Sequence, residues 1–194
     1  NETLPVKSFT GAGEYFYAVT QNTLYRAAKS SPDLQNFQSW QMIDTVDTFT
    51  NIVNVNNNVF LSTKNKVYTL INDSVKQVFA APYTIQHLSP GNNRLLIGVE
   101  SKATGGIWIM NMANTITDTF ECYSPTFQAV ELLDHTIWYS SKYDGLKRWF
   151  TGNESGKYIP AGPTNASAFD IYAHNKELYI AHGGHTDIFY ATKS

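Results

Sequence analysis

A two-strand unit recurs five times along the chain, and this repeat limits the possible folds more than any other feature. Each unit consists of an apolar or aromatic strand, a short polar turn and a second strand that contains an aromatic residue. The units start near residues 15, 58, 94, 136 and 177. Self-similarity at such a period is typical of repeat architectures, in which each repeat is one supersecondary unit.

Further strands flank these units, which makes each repeat a group of about four strands. The flanking strands are predicted at residues 39–43, 50–55, 75–79, 84–88, 119–122, 127–132, 157–159 and 168–172. Four short strands in about 40 residues are typical of a β-propeller blade. A sandwich of short strands is the competing interpretation, and the equal spacing of similar units disfavours it. The sequence therefore predicts an all-β chain of four-stranded propeller blades, with a loop at residues 30–37.

The length of the chain limits the number of blades. At about 41 residues per blade, residues 1–194 supply about 4.5 to 5 blades, and the fifth ends after its second or third strand. A propeller has to close its ring, and natural rings run from four to eight blades. The chain is thus predicted to be a single propeller domain or, as we favour, part of a larger ring. In the compact alternative, residues 4–9 pair with the last blade.

The composition agrees with β structure and excludes several functions. The 12 Tyr and 11 Phe residues favour strands over helices. Charged residues make up 15% of the chain and the net charge is -2, so binding to nucleic acid is not expected. The sequence has no apolar stretch of about 18 residues for membrane insertion. Cys122 is the only cysteine, which excludes an intrachain disulfide and a cysteine-rich metal site.

The fourth unit contains a set of candidate binding residues. The candidates are the aromatic and basic residues Trp138, Lys142, Tyr143, Lys147, Arg148 and Trp149. Aromatic faces stack on sugar rings, and Lys or Arg pairs with acidic sugars or phosphates. Strand alternation places Ile137 and Tyr139 on one face, with Trp138 and Ser140 on the other. The alternative is that these aromatic residues pack between blades.

A second cluster suggests a metal site. His182, His185 and Asp187 are candidate Zn²⁺ ligands, and the glycines between the histidines would let the backbone approach an ion. A rigid zinc site normally has a fourth ligand, so the alternative is an exposed turn between two strands. No cofactor is predicted from the sequence.

Catalysis is not expected. Paired carboxylates would have to lie about 5 to 10 Å apart, whereas the acidic residues are scattered among blades and turns. A cluster that binds a carboxylated sugar would need all the arginines of the chain, which are Arg26, Arg94 and Arg148. Asp33 lies in a stretch that resembles the Asp-box turn of sialidase propellers, although no Gly follows the Asp. Such a turn is structural.

Two stretches resemble known propeller families. Residues 137–148 read IWYSSKYDGLKR, similar to the I-W…G-L-x-R repeat of two-component-regulator-type propellers of the Bacteroidetes. Residues 159–163, IPAGP, and 177–184, ELYIAHGG, resemble the N-terminal propeller of PorZ-like proteins, where a P-x-G-P turn and an L-y-v-A-x-G-G segment follow that blade. Ala161 departs from the turn-forming residue expected there. The more specific resemblance covers residues 134–185.

The resemblance implies a setting and a role. PorZ-like proteins belong to the type IX secretion machinery at the outer-membrane surface, in a complex that processes cargo and attaches it to anionic lipopolysaccharide. The resemblance therefore implies an exported, non-enzymatic scaffold whose partners are other surface secretion proteins and anionic lipopolysaccharide or another glycan. The alternatives are a ligand-sensing periplasmic propeller of a hybrid two-component system and, with less support, a glycan-cleaving enzyme.

Overall fold

The computed structural model shows five antiparallel sheets. It describes residues 5–21, 23–43, 47–101, 104–122, 124–143, 145–149, 155–158, 168–174, 177–182 and 191–193. Four sheets have four strands each and the fifth has three. In each sheet the strands follow one another in chain order, as the blades of a propeller do. The predicted fold class, an all-β propeller of four-stranded blades, is confirmed.

The sheets are numbered as blades in chain order. Blade one comprises β1 (Ser8–Ala12), β2 (Tyr15–Val19), β3 (Leu24–Ala28) and β4 (Gln41–Ile43). Blade two comprises β5 (Asn51–Val55), β6 (Asn58–Ser62), β7 (Lys66–Ile71) and β8 (Ser74–Ala80). Blade three comprises β9 (Thr84–Pro90), β10 (Arg94–Ser101), β11 (Thr104–Asn111) and β12 (Ile116–Cys122). Blade four comprises β13 (Thr126–Glu131), β14 (Ile137–Ser141), β15 (Gly145–Trp149) and β16 (Ser155–Tyr158). Blade five comprises β17 (Ala168–His174), β18 (Glu177–His182) and β19 (Ala191–Lys193).

One strand near the start of the chain differs from the prediction, and one predicted strand near its end lies outside the described residues. The sequence analysis predicts no leading strand for blade one, and in the compact alternative it pairs residues 4–9 with the last blade. In the structure, Ser8–Ala12 pairs with Tyr15–Val19 and is itself the leading strand of blade one. In blade five the third strand is Ala191–Lys193, which pairs with β18, whereas the predicted partner, residues 187–190, lies outside the described residues. Strand pairing at these two places depends on contacts that alternation alone does not specify.

The chain divides into two compact units, Asn1–Leu88 and Ser89–Ser194. The core of the first unit lies between blades one and two, where the largest fully buried side chains are Leu24, Phe49, Ile52 and Leu61. Side chains also bond the two leading strands, since the Ser8 hydroxyl accepts from the Ile52 N–H at 3.1 Å. The leading strands of blades one and two are therefore bonded by side chain to backbone, because an edge strand keeps backbone groups that do not pair within its own sheet.

In the second unit, one core lies between blades three and four. It contains Leu96, Ile107, Ile109 and Cys122 from blade three, packed against side chains from blade four. The Cys122 side chain is buried, as expected for a lone structural thiol. No helix in the described part of the chain is long and apolar enough to cross a membrane.

The tight hairpin turns explain part of the asparagine content. Non-glycine residues with positive φ are Asn56, Asn57, Asn72, Asp73, Asn93, Asn114 and His135. Asn56 with Asn57 and Asn72 with Asp73 form the two-residue turns of blade two, which need left-handed backbone. Asn93, Asn114 and His135 lie in longer hairpin connections of blades three and four. Asn and Asp adopt that conformation at lower cost than other side chains. The polar turns of the repeat are therefore conformational requirements of the blades.

The loop before β4 is ordered by its own side chains. The Asp33 carboxylate accepts from the Asn36 N–H at 3.2 Å, and the Trp40 indole N–H donates to the Leu34 carbonyl at 2.9 Å. A short 3-10 turn, Phe37–Ser39, completes it. The prediction that Asp33 belongs to a structural turn is confirmed.

His87 on β9 gives the fold a pH-dependent stability. Its side chain is buried, and burial lowers the pKa of His87 to about 3. Below its ordinary pKa of about 6.5, the unfolded chain takes up a proton that the folded chain does not, so stability falls as the pH falls. Between pH 6.5 and 5 we expect the free energy of unfolding to fall by about 2 kcal/mol, which urea unfolding measures. His87→Gln should remove most of this dependence of the free energy of unfolding on pH. An unchanged dependence would contradict the attribution of the effect to His87.

Candidate functional site

The six predicted binding residues lie on or between β14 and β15. Trp138 is paired with Arg148, and Ile137 with Trp149, across the two strands. The predicted alternation is confirmed, because Ile137 and Tyr139 face the core with blade three, whereas Trp138 faces the core with blade five. The six residues therefore occupy different environments, which are described one by one.

Trp149 belongs to the core. Its side chain is 8% exposed, and its ring stacks on Phe120 of blade three with centroids 4.5 Å apart and planes at 8°. Lys147 projects from the same face, across from Tyr139. At this position the structure matches the packing alternative, since a ring buried between two sheets has no face left for a ligand.

Trp138 and Arg148 form a pair on the opposite face. The Arg148 guanidinium carbon lies 5.7 Å from the centre of the Trp138 ring, within the range of a cation–π contact. Trp138 is partly buried against Leu146 and Ile171, while Arg148 is exposed. One edge of this pair is thus available to a ligand, and the Trp ring is fixed by packing.

Lys142 and Tyr143 lie in the turn between β14 and β15. Tyr143 is 69% exposed, and the Lys142 ammonium lies 5.1 Å from the centre of its ring. The Lys142 N–H donates to the Pro125 carbonyl at 2.9 Å, which ties the turn to the segment that leads into β13. The turn therefore presents an aromatic ring and a cation on a backbone that is held in place.

The two exposed groups, the Trp138–Arg148 pair and the turn with Lys142 and Tyr143, lie apart along β14. Trp138 and Lys142 are four residues apart, which corresponds to about 13 Å in a strand. The turn and the Trp138–Arg148 pair therefore lie near opposite ends of the blade. The six predicted residues do not form one surface, and binding by either exposed group stays a prediction.

Phe127 is an exposed aromatic residue that the sequence reasoning did not single out. Thr126 is paired with Ser141 and Gln128 with Ser140, so that Phe127 is an extra residue in a β-bulge. Its side chain is 46% exposed, whereas Thr126 and Ala129 are buried. Simple alternation cannot predict a bulge. The only signal in the sequence was an aromatic residue two positions after Pro125, at the start of a predicted strand.

Gly105 supports the segment before β13. A Cβ at this position would lie 2.7 Å from the Ser124 carbonyl oxygen and 3.1 Å from the Pro125 Cα. Only glycine lets the hairpin of blade three approach so closely to that segment. The close contact fixes Pro125, and through its carbonyl the Lys142 turn.

Glu131 is the centre of a buried ionic cluster at the far end of β13. Its carboxylate accepts from the Arg94 Nε at 2.9 Å, from the Asn92 N–H at 2.9 Å and bonds the His135 Nδ1 at 2.9 Å. Burial alone would raise the pKa of Glu131, but these hydrogen bonds outweigh it and hold the pKa below its ordinary value. The cluster joins the turns of blades three and four.

The predicted metal ligands are largely outside the described residues. His185 and Asp187 lie outside them, and for His182 only the backbone, at the end of β18, is described. Within the described ranges, no group of three or more His, Cys, Asp or Glu side chains could hold a metal ion. Zinc binding by these three residues therefore stays a prediction.

Solved structures with the same architecture align with most of the chain. One is PorZ, an essential bacterial surface component of the type IX secretion system of Porphyromonas gingivalis, with a TM-score of 0.63 and 13% identity over 93% of this chain. Another is the extracellular domain assigned to a hybrid two-component system of B. thetaiotaomicron, with a TM-score of 0.70 and 14% identity over 90%. A third is virginiamycin B lyase from Staphylococcus aureus, with a TM-score of 0.69 and 13% identity over 98%.

These likenesses show the fold, and the chain is shorter than the proteins it resembles. It spans 25% of PorZ, 25% of the two-component domain and 70% of the lyase. No protein-family model matches the sequence, and no curated protein sequence matches it. Because the neighbours include a surface component, an extracellular domain and an enzyme, the propeller architecture by itself does not decide between binding and catalysis.

Proposed function

We propose that the chain is a non-enzymatic interaction propeller of a cell-surface type IX secretion complex, PorZ-like in role, that helps cargo processing and attachment to anionic lipopolysaccharide. The observation that carries the proposal is the turn end of blade four, where Tyr143, Lys142 and Phe127 are exposed on a fixed backbone. Exposed aromatic residues beside a cation are typical of binding surfaces. The alignment of 93% of the chain with PorZ supports this choice.

The arginines support binding over catalysis. Arg26 is paired with Asp73 and Arg94 with Glu131, and Arg148 lies over Trp138. If the arginines were to hold a carboxylated substrate, Arg26 and Arg94 would first have to leave their ion pairs with Asp73 and Glu131. These side chains stabilise the blades, and the proposed function places ligand contacts elsewhere.

Affinity capture tests the proposal. The chain is immobilised as bait for native outer-membrane extract, and captured proteins and lipopolysaccharide are identified by mass spectrometry. We expect surface secretion proteins or anionic lipopolysaccharide, with reduced capture by Tyr143→Ser. The matched control is Tyr172→Ser, which removes a tyrosine that is 62% exposed on blade five. Capture no greater than that of a scrambled-blade control would overturn the proposal.

The second candidate is a ligand-sensing propeller of a hybrid two-component system, exported to the periplasm. The TM-score of 0.70 with the extracellular domain from B. thetaiotaomicron favours it. A membrane segment and kinase domains encoded in the same gene after residue 194 would support the sensor. A complete gene without them would eliminate it.

A further inference from the structure

The face of blade one that points away from blade two is apolar and uncharged. Tyr17, Val19 and Leu24 pack in the core with blade two, so strand alternation turns the residues between them to the opposite side of the sheet. We call this side the outer face. Its side chains, which come from all four strands, are Phe9, Phe16, Ala18, Tyr25, Ala27 and Met42.

The loop before β4 covers part of the outer face with its own aromatic rings. The Trp40 ring lies 6.5 Å from the Phe9 ring, centre to centre, and the Phe37 ring lies 5.2 Å from the Tyr25 ring. Ala18, which is paired with both Phe9 and Tyr25, is only 5% exposed. The middle of the outer face is therefore closed, and all of these residues lie in the first compact unit.

The outer face still leaves a contiguous apolar surface in contact with solvent. Phe9 is 52% exposed, Phe37 57% and Met42 62%. By contrast, Val59 and Leu61, which blade two packs against blade one, are 3% and 0% exposed. Exposed apolar patches rimmed by polar residues are typical of protein interaction sites. The composition of the outer face therefore indicates that another protein surface covers it.

Charged residues of both signs surround the outer face. Lys7 and Lys29 are exposed, and the Lys29 ammonium lies 5.6 Å from the centre of the Phe16 ring. Glu14 in the turn after β1 and Asp33 in the loop before β4 are also exposed. The rim thus has no net charge. A two-fold interface brings a patch against itself, and such a patch tolerates no excess of one sign, because like charges would then meet.

We propose that the outer face of blade one binds the outer face of a second copy of the chain, in a two-fold dimer whose apolar side chains interdigitate. Two sheets that pack face to face bury their apolar side chains between them in this way. The inference goes beyond the proposed function, because it concerns self-association. It uses no residue of the turn end of blade four, so its failure leaves the proposed function standing.

The size of the outer face sets the strength of the dimer. Three strands of five residues and one of three, spaced about 4.8 Å apart, cover about 19 Å by 17 Å. A stable interface buries about 800 Å² on each side, whereas smaller interfaces belong to weak complexes. We therefore expect a dimer that forms at micromolar concentrations and dissociates on dilution.

Sedimentation velocity of the whole chain over a range of micromolar concentrations tests the inference. We expect the wild type to change from monomer to dimer as its concentration rises. Phe9→Ser and Met42→Ser should each weaken the association at least tenfold, because two-fold symmetry places every substitution in the interface twice. The matched control is Leu133→Ser, which removes an apolar side chain that is 85% exposed in a turn of blade four. It should associate like the wild type.

Three results would overturn the inference. The first is a wild type that stays monomeric at every concentration, as expected if another blade or a different protein covers the outer face. The second is unchanged association in Met42→Ser, which decides the question even if Phe9→Ser fails to fold, since Met42 is exposed on a short edge strand. Circular dichroism checks the folding of both variants. The third is assembly beyond the dimer, because an isologous contact closes at two copies.

Discussion

Trp149→Ala is expected to lower the free energy of unfolding by about 3–5 kcal/mol, the usual cost of truncating a buried aromatic residue. The ring is buried and stacked on Phe120 at 4.5 Å. Its removal leaves a cavity between blades three and four, because a β-sheet face can collapse only partly. The measurement is urea unfolding followed by circular dichroism, which does not depend on the lost tryptophan fluorescence.

Trp138→Ala is the matched control for Trp149. Trp138 is only partly buried, next to Leu146 and Ile171, so its truncation should cost about 1–2 kcal/mol. If both variants lost the same stability, the assignment of Trp149 to the core would be wrong. The comparison therefore separates packing from binding in a blade where the sequence allowed both.

Glu131→Gln should also have a large effect, a loss of about 2–4 kcal/mol at neutral pH. The Glu131 side chain is fully buried, and the substitution leaves the partly buried Arg94 without its counter-ion. Asp73→Asn is the control, since Asp73 pairs with Arg26 but is half exposed. Surface ion pairs contribute at most about 1 kcal/mol. Equal losses in the two variants would mean that the burial of Glu131 adds nothing to the free energy of unfolding.

The Glu131 cluster also has a predicted pH dependence. Because the folded pKa of Glu131 is lowered, its stabilisation is complete above the unfolded pKa of about 4.3 and is lost as the pH falls through the folded value. The unfolding of Glu131→Gln should therefore change less with pH below about 4.3 than that of the wild type. The His87 effect extends from about pH 6.5 down to about pH 3 and overlaps the Glu131 effect below about pH 4.3, so only measurements between pH 6.5 and 5 report on His87 alone.

Much of the fold could be predicted because a blade is a local structure. The alternation at Ile137 and Tyr139, the polar hairpin turns and the period of about 40 residues all follow from neighbouring residues. The leading strand of blade one was missed because Ser8–Ala12 contains three small residues, Ser8, Gly11 and Ala12, and no strict alternation. The candidate site was predicted only in part. Lys142 and Tyr143 are exposed, whereas the Trp149 side chain is buried in the core.

The sequence by itself determined that the chain is built from β-blades, because strand period, turn chemistry and repeat length are properties of segments a few residues long. The sequence also determined which aromatic and basic residues were candidates for contact with a ligand. Only the tertiary structure decided which of those residues are exposed. The stacking of Trp149 on Phe120 and the burial of Glu131 depend on contacts between blades, which join residues far apart in the chain. The bulge at Phe127 depends on how β13 pairs with β14.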